Sequence, residues 1–366
     1  MNSKNSQKKF LFIVQGEGRG HMTQAISLHN MLLANGHQVC EVVVGKSARR
    51  KIPDFFYQKL TPTKIDTIES PNFVTDKNNK SIRMRRTGYT NIRRYRTFKA
   101  SLRRLHQKVT EHQPDVIINF YDFLGGIYNR LYHHNCQFVC IAHQYLAAHT
   151  DFPFAKGNFW DRYSLKVGNW LTSMRASRRL ALSFTDAYQS TKDLVVTPPL
   201  LRQELHEIKP VNEGFILVYM VNDGYAEEVM KFHKLHPEVA LHCFWDRKEA
   251  NKKEVVDDTL TFHQISDTEF LDKMAKCAGY ASTAGFESIC EAMMLGKPVM
   301  MIPVAGQYEQ ACNAIDAQRA GAGISSQEFD IGKLMVYLKA HQADAQTFSS
   351  WVKKAESIIL PELTRS

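Results

Sequence analysis

The feature that most limits what this chain can fold into lies near its start. Phe10–Gln15 is a short apolar run that ends in Gly16-Glu17-Gly18-Arg19-Gly20. From His21 to Asn35, apolar residues recur at helical spacing (Ala25, Leu28, Leu32) and Gly36 supplies a stop. Val39–Val44 then reads as a second strand. Strand, glycine-rich turn, helix and strand in that order make one βαβ unit, which requires a parallel sheet. Asp115–Phe120, after Pro114, and Phe138–Ala142 read as further buried strands of it.

Thr197-Pro198-Pro199 continues neither a helix nor a central strand and begins a linker that ends near Pro210. The alternation then restarts. Phe215–Met220 is a strand, Val221-Asn222-Asp223-Gly224 a turn, and a helix follows from about Ala226. Val239–Trp245, Thr259–Ile265, Gly279–Ser282 and Pro298–Ile302 supply further strands, and a final helix is expected near Ala343–Ile359. Single cores stop growing near about 250–300 residues, so 366 residues call for two domains. The predicted fold class is α/β: two doubly wound Rossmann-like domains facing across a cleft, residues 1–200 and 201–345. The closing helix, 346–366, is expected to pack back towards the first domain.

Composition narrows the class further. Hydrophobic residues at 44% and charged residues at 23% exclude a disordered, collagenous or coiled-coil chain. Behind the polar, basic stretch Met1–Lys9, the apolar run Phe10–Val14 is shorter than the roughly 7–15 residues of a secretory signal or the about 20 of a spanning helix. The seven cysteines (40, 136, 140, 243, 277, 290, 312) are odd in number and scattered, as reduced thiols are. The expected location is therefore cytoplasmic. His133-His134-Asn135-Cys136 with Cys140 has the residue types of a metal cluster, but Cys140 lies in an apolar strand, so no metal is expected there.

The net charge of +10 is unevenly spread. The first 200 residues hold 30 Lys+Arg against 13 Asp+Glu, and the remainder 17 against 24. No acidic residue interrupts Lys77–Thr110, where Arg83, Arg85, Arg86, Arg93, Arg94, Arg96, Lys99, Arg103, Arg104 and Lys108 crowd together. Two readings stand: a solvated helix face, or a patch from Arg83 to Lys108 that meets a membrane surface or an anionic acceptor. No nucleic-acid-binding motif accompanies it, and no nucleic-acid partner is expected.

The chemistry concentrates towards the C-terminus. Ala281-Ser282-Thr283-Ala284-Gly285-Phe286-Glu287-Ser288 joins a strand to a helix that stops at Gly296-Lys297-Pro298. A small-residue turn at a helix N-terminus offers free N–H groups and the positive end of the helix dipole, a physical site for a diphosphate. Glu291 lies one turn beyond Glu287 on the same face, where a carboxylate grips two ribose hydroxyls. Glu309 and Gln310 follow Pro303 and Gly306, after a strand's carboxyl end, and suit the hydroxyls of a sugar. No Asp-x-Asp pair is present to hold Mg²⁺; Asp267-Thr268-Glu269 reads as the start of a helix.

The ordered series Gly285-Phe286-Glu287-Ser288-Ile289-Cys290-Glu291-Ala292, Gly296-Lys297-Pro298, Pro303, Glu309-Gln310 and Asn313-Ala314 resembles the nucleotide-sugar signature of the GT-B glycosyltransferases. The branch it resembles includes the UDP-glycosyltransferases and the N-acetylglucosaminyltransferase of bacterial lipid II synthesis. The resemblance is strong over about fifty C-terminal residues, moderate in the N-terminal loop, and elsewhere one of layout. It implies a nucleotide-sugar-binding C-terminal domain and an acceptor-binding N-terminal one. Thr283, Gly285 and Ser288 would lie near the diphosphate, Glu291 at the ribose, and Glu309 with Gln310 at the sugar. Asn222 joins them as a donor-side candidate. Thr283 stands where plant-type members carry histidine and Glu287 where they carry asparagine. An ionised Glu287 would repel a diphosphate, so it is expected to point away or to contact the sugar.

Gly16-x-Gly18-x-Gly20-His21 is not a dinucleotide fingerprint: His21 falls at the third glycine, and Gly45-Lys46 replaces the acidic residue after the second strand. In the enzymes it resembles, the histidine ending this loop is the general base, and an aspartate after a later strand orients it. His21 and Asp122 fit those places. Gly18 and Gly20 would shape the acceptor side, and His143, with Gln144, ends a strand that reaches the same cleft. The resemblance thus implies an inverting, metal-independent hexosyltransferase without a cofactor, taking a nucleotide-sugar, UDP-linked; the basic charge of the first 200 residues points to an acceptor that is lipid-linked or anionic. Peripheral attachment at the inner face of the membrane through the basic patch goes with it. A nucleotide-sugar epimerase of related architecture and a non-catalytic basic protein docking on membrane or nucleic acid are the alternative readings.

Overall fold

The computed structural model describes residues 7–46, 51–71, 93–220, 223–245, 247, 252–341 and 344–365. The first half runs β1 (Lys9–Gln15), α1 (Arg19–Ala34), β2 (Gln38–Lys46), α2 (Asp54–Lys59), β3 (Lys64–Glu69), α3 (Tyr95–His112), β4 (Val116–Phe120), α4 (Phe123–Leu131), β5 (Gln137–Ala142), α5 (Phe159–Thr172), β6 (Arg178–Leu182) and β7 (Leu194–Thr197). Its strands form one sheet in the order β3-β2-β1-β4-β5-β6-β7, with every neighbour parallel. Helices cover both faces, so the central strands are mostly apolar: Phe10 to Val14 and Val116 to Ile118 are fully buried. Gly36 takes a φ of +78°, the left-handed conformation that closes α1.

The second half repeats the design. β8 (Ile216–Met220), α6 (Ala226–Leu235), β9 (Leu241–Trp245), β10 (Lys253–Val255), β11 (Leu260–Gln264), α7 (Asp267–Lys276), β12 (Gly279–Thr283), α8 (Phe286–Met294), β13 (Val299–Ile302), α9 (Tyr308–Arg319) and β14 (Gly323–Ser325) follow the linker. The sheet order is β10-β11-β9-β8-β12-β13-β14, with only the β10–β11 pair antiparallel. Two Rossmann-like domains are thus present. In each, strand order reverses beside the first strand, at β1/β4 and at β8/β12, and ligands of open α/β sheets bind at such switch points.

The chain ends in α10 (Ile331–Leu338), α11 (Ala345–Val352) and α12 (Ala355–Thr364). The single closing helix expected from the sequence is therefore two, separated at Lys353-Lys354. Both lie against the first domain. Trp351 Nε1 donates to the Ser183 carbonyl at 3.0 Å, and Arg178 pairs with Glu362 at 3.3 Å.

Within the basic run, Arg83, Arg85 and Arg86 lie outside the described residues. Several of the others are paired with acids of the same domain rather than forming a free patch. Arg94 pairs with Glu69, Arg104 with Asp66 at 2.7 Å, and buried Lys108 reaches both Glu41 and Asp66 at 2.6 Å. Glu41 is fully buried on β2 and needs those cations, so part of the run fastens α3 to the outer strands. Arg96, Lys99 and Arg103 remain exposed.

Candidate active site

A cavity of about 360 Å³ lies between the two domains. From the first domain it is lined by the β1–α1 loop (Gly18, Gly20, His21), by Gln24, and by His143 and Gln144 after β5. The second domain contributes Thr283, Gly285, Glu287, Ser288 and Glu291 around the start of α8, and Glu309 and Gln310 at the start of α9. Asp122 does not line it, and Asn222 lies outside the described residues.

His21 occupies the first turn of α1. Its ring stacks on Tyr121 (centroids 5.7 Å apart, planes at 17°), and Nδ1 lies 3.4 Å from Oε1 of Gln24. A carboxamide oxygen only accepts, so this contact assigns the proton to Nδ1 and leaves the Nε2 lone pair free. Burial pushes the imidazole down to about 4, and the ring is neutral at physiological pH. Tyr121, at the carboxyl end of β4, has a φ of +60°, a strained conformation for an aromatic residue. Its hydroxyl donates to Asn169 Oδ1 at 2.7 Å.

Asp122 does not pair with His21 in this structure. It is the N-cap of α4: Oδ1 accepts from the backbone N–H groups of Leu124 (2.8 Å) and Gly125 (3.2 Å) and from Ser70 Oγ (3.1 Å). An aspartate directly before an apolar helical run is a capping signal in its own right, and here the orphan amides of the helix claim the carboxylate. Burial raises its pKa to about 6. The side-chain hydrogen-bond partner of His21 is Gln24 instead. Three residues along the same helix, it shares the face of His21, which is the sequence signal that marks it.

Across the cleft, Gly285 is the N-cap of α8, with no side chain capping the helix. The first amides of a helix have no partner within it, so α8 points its positive end into the cavity. Glu287 does not point away. It is buried, and its Oε2 accepts from Gln24 Nε2 at 2.9 Å, so Gln24 links the imidazole to the other domain. Burial, with the neighbouring Glu291 adding to it, pushes the Glu287 carboxyl up to about 8. The repulsion expected between this residue and a diphosphate is removed by its neutrality near pH 7.

Glu291 is held by a residue the sequence did not single out. Arg202, in the linker, donates from Nε to Glu291 Oε1 at 2.6 Å and from Nη1 to Asp267 at 2.7 Å. Glu309 accepts from Gln144 Nε2 at 2.9 Å and Asn313 Nδ2 at 3.4 Å. Gln310 Oε1 accepts from the Val304 amide at 2.9 Å. His143 donates from Nδ1 to the Leu182 carbonyl at 2.7 Å and stacks on Phe286 at 4.1 Å. His143 is therefore a buried interdomain contact as well as a wall of the cavity.

Among the described residues, no group of three His, Cys, Asp or Glu side chains is placed to hold a metal ion, and no helix is long and apolar enough to cross a membrane. His134 stacks on Tyr128 at 5.5 Å, and Cys140 is fully buried.

Residues 8–341 match the family model of glycosyl transferase family 1. No curated protein matches the chain. Similar solved structures include UGT2 of Phytolacca americana complexed with UDP-2fluoro-glucose and pterostilbene (TM-score 0.63, 11% identity, covering 98% of this chain and 99% of that one). The glycotransferase of kitacinnamycin superposes with a TM-score of 0.61 at 14% identity (96% of each chain). MurG of Acinetobacter baumannii does so at 0.57 and 14% (98% and 100%). At these identities the structures speak to the fold, and the family match speaks to the activity: the chain is a glycosyltransferase of the GT-B fold and belongs to glycosyl transferase family 1.

Proposed function

We propose that the enzyme transfers a sugar, with inversion, from a nucleotide diphosphate-sugar (UDP-linked) to an acceptor hydroxyl, with His21 as general base. The observation that carries this reading is the opposition of His21 and the uncapped N-terminus of α8 across one cavity. His21 Nε2 takes the proton of the acceptor hydroxyl as its oxygen attacks the anomeric carbon. The bond from that carbon to the diphosphate breaks on the opposite side, and the electron pair leaves with the diphosphate oxygen. Amides and dipole of α8 stabilise the charge that builds there, so transfer is proposed to need no divalent cation. Glu291, released from Arg202, would accept from the ribose, and Glu309 and Gln310 would face the sugar.

The test is UDP release from a set of UDP-sugars, with mixed hydroxyl-bearing lipids as acceptors and with EDTA present. His21→Ala is expected to lower the rate by about 10²–10⁴-fold. Unchanged release would remove His21 from the base role. Isomerised UDP-sugar formed without acceptor would make the enzyme an epimerase.

A further inference from the structure

The outer face of α5 is the one place among the described residues where large aromatic rings are exposed as a group. Phe159 and Trp160 are each 71% exposed, Trp170 63% and Tyr163 51%. Phe159, Tyr163, Lys166 and Trp170 fall at i, i+4, i+7 and i+11, one stripe along the helix. The first three rings touch: Phe159 stacks on Tyr163 at 5.8 Å, and Trp160 meets both edge-on at 5.6 and 6.1 Å. Other exposed apolar residues are scattered, which is ordinary for a soluble surface.

The charges along this stretch of chain are mostly positive. Lys156, Lys166 and Arg175 are exposed beside it, and between Phe152 and Arg179 the sole acidic residue is Asp161. Its carboxylate is turned into the helix end, where it accepts from the Asn158 amide at 3.0 Å. At the C-terminal end of the stripe, Trp170, Lys166, Arg175 and Arg179 wall a cavity of about 630 Å³, with Asp193 as the one acid in its lining. Amphipathic rings interleaved with cations are the composition of a bilayer interface, where rings sit at headgroup depth and Lys and Arg meet lipid phosphates.

We propose that this face of α5 seats the enzyme on an anionic bilayer surface, with Phe159, Trp160 and Tyr163 entering the headgroup layer and Lys166 and Arg175 meeting lipid phosphates. The inner face of the same helix holds the site together. Asn169 accepts from Tyr121, the residue stacked on His21, and donates to the Gln144 carbonyl at 2.7 Å. A bilayer on the outer face therefore lies about one helix diameter, roughly 10 Å, from the ring beneath His21. The surface goes beyond the transfer reading and stands without it.

The test is co-sedimentation of the full chain with vesicles of phosphatidylcholine alone or mixed with phosphatidylglycerol, without any nucleotide. The wild type is expected to bind the mixed vesicles, with an affinity that falls as salt rises. The triple variant Phe159→Ser/Trp160→Ser/Tyr163→Ser and the single Lys166→Glu are each expected to lose about tenfold or more in partitioning. A control in α3, Arg96→Gln/Lys99→Gln/Arg103→Gln, is expected to change it less than about twofold. Should the triple variant melt lower than the wild type, Lys166→Glu decides. Binding unchanged in the α5 variants, or lost in the α3 control instead, overturns the proposal. So does a wild-type dimer that the triple variant converts to monomer without any vesicle binding, which would make the face an interface between copies.

Discussion

Glu287→Gln separates the chemistry of the cleft from its packing. The wild-type carboxyl is buried against Gln24 and raised from 4.5 to about 8, chiefly by loss of hydration. The unfolded chain releases this proton near 4.5 while the folded protein keeps it until about 8, so folding stability falls as pH rises through that window. At 1.36 kcal/mol per pH unit, the loss attributable to Glu287 amounts to about 5 kcal/mol by the top of the window. Glutamine keeps an oxygen that accepts from Gln24 and does not titrate, so it escapes the loss. Melting temperatures of the two proteins, followed from about pH 5 to about pH 9, are expected to diverge steadily in favour of the variant. Titrating groups that do not interact with Glu287, Asp122 among them, are common to both proteins and cancel in the difference, whereas Glu291 adds to the Glu287 shift and its contribution goes with it. A gap that stays constant with pH would show that Glu287 is ionised in the folded protein, and the account of the donor side would fail.

The same groups set the pH dependence of catalysis. With His21 lowered to about 4 and Glu287 raised to about 8, kcat/KM is expected to be flat between those values. It should fall above about 8 as Glu287 ionises beside the donor phosphates, and Glu287→Gln should keep the plateau. An acid limb centred near 6.5 would mean that His21 is hydrated. Arg202→Leu leaves Glu291 buried without its cation and should cost about 3–5 kcal/mol in stability, with Arg202→Lys recovering part of it. A variant as stable as the wild type in thermal unfolding would show that the pair contributes nothing.

Much of the fold is legible in the residues because a parallel sheet covered on both faces needs continuous apolar strands. β1, β5, β8 and β13 read that way, and β4 does apart from Asn119. The five missed strands lack that signature: β3 mixes polar and apolar residues, β6 opens with Arg178-Arg179, β7 has four residues, and β10 and β14 have three each. The start of α8 is legible because helix caps are local. What closes the site is not local. Gln24 meets Glu287 across the domain boundary and Arg202 reaches from the linker to Glu291, at separations of 263 and 89 residues. Lys108 illustrates the same limit: its place in a basic run suggests a solvated charge, and Glu41 on β2 with Asp66 on β3 explains its burial.

Gly285→Asp probes whether the N-terminus of α8 binds the diphosphate of a nucleotide-sugar. The N-cap position has a φ of −82°, open to any residue, and an added Cβ would meet nothing closer than the Thr283 carbonyl at 3.8 Å. Aspartate caps helices well, so the variant should fold at least as stably as the wild type, while its charge opposes a phosphate at the same amides. UDP titrated calorimetrically into both proteins is the measurement. The wild type is expected to bind and the variant to lose about tenfold or more in affinity. Equal affinity in the two would place the diphosphate elsewhere and contradict the α8 site.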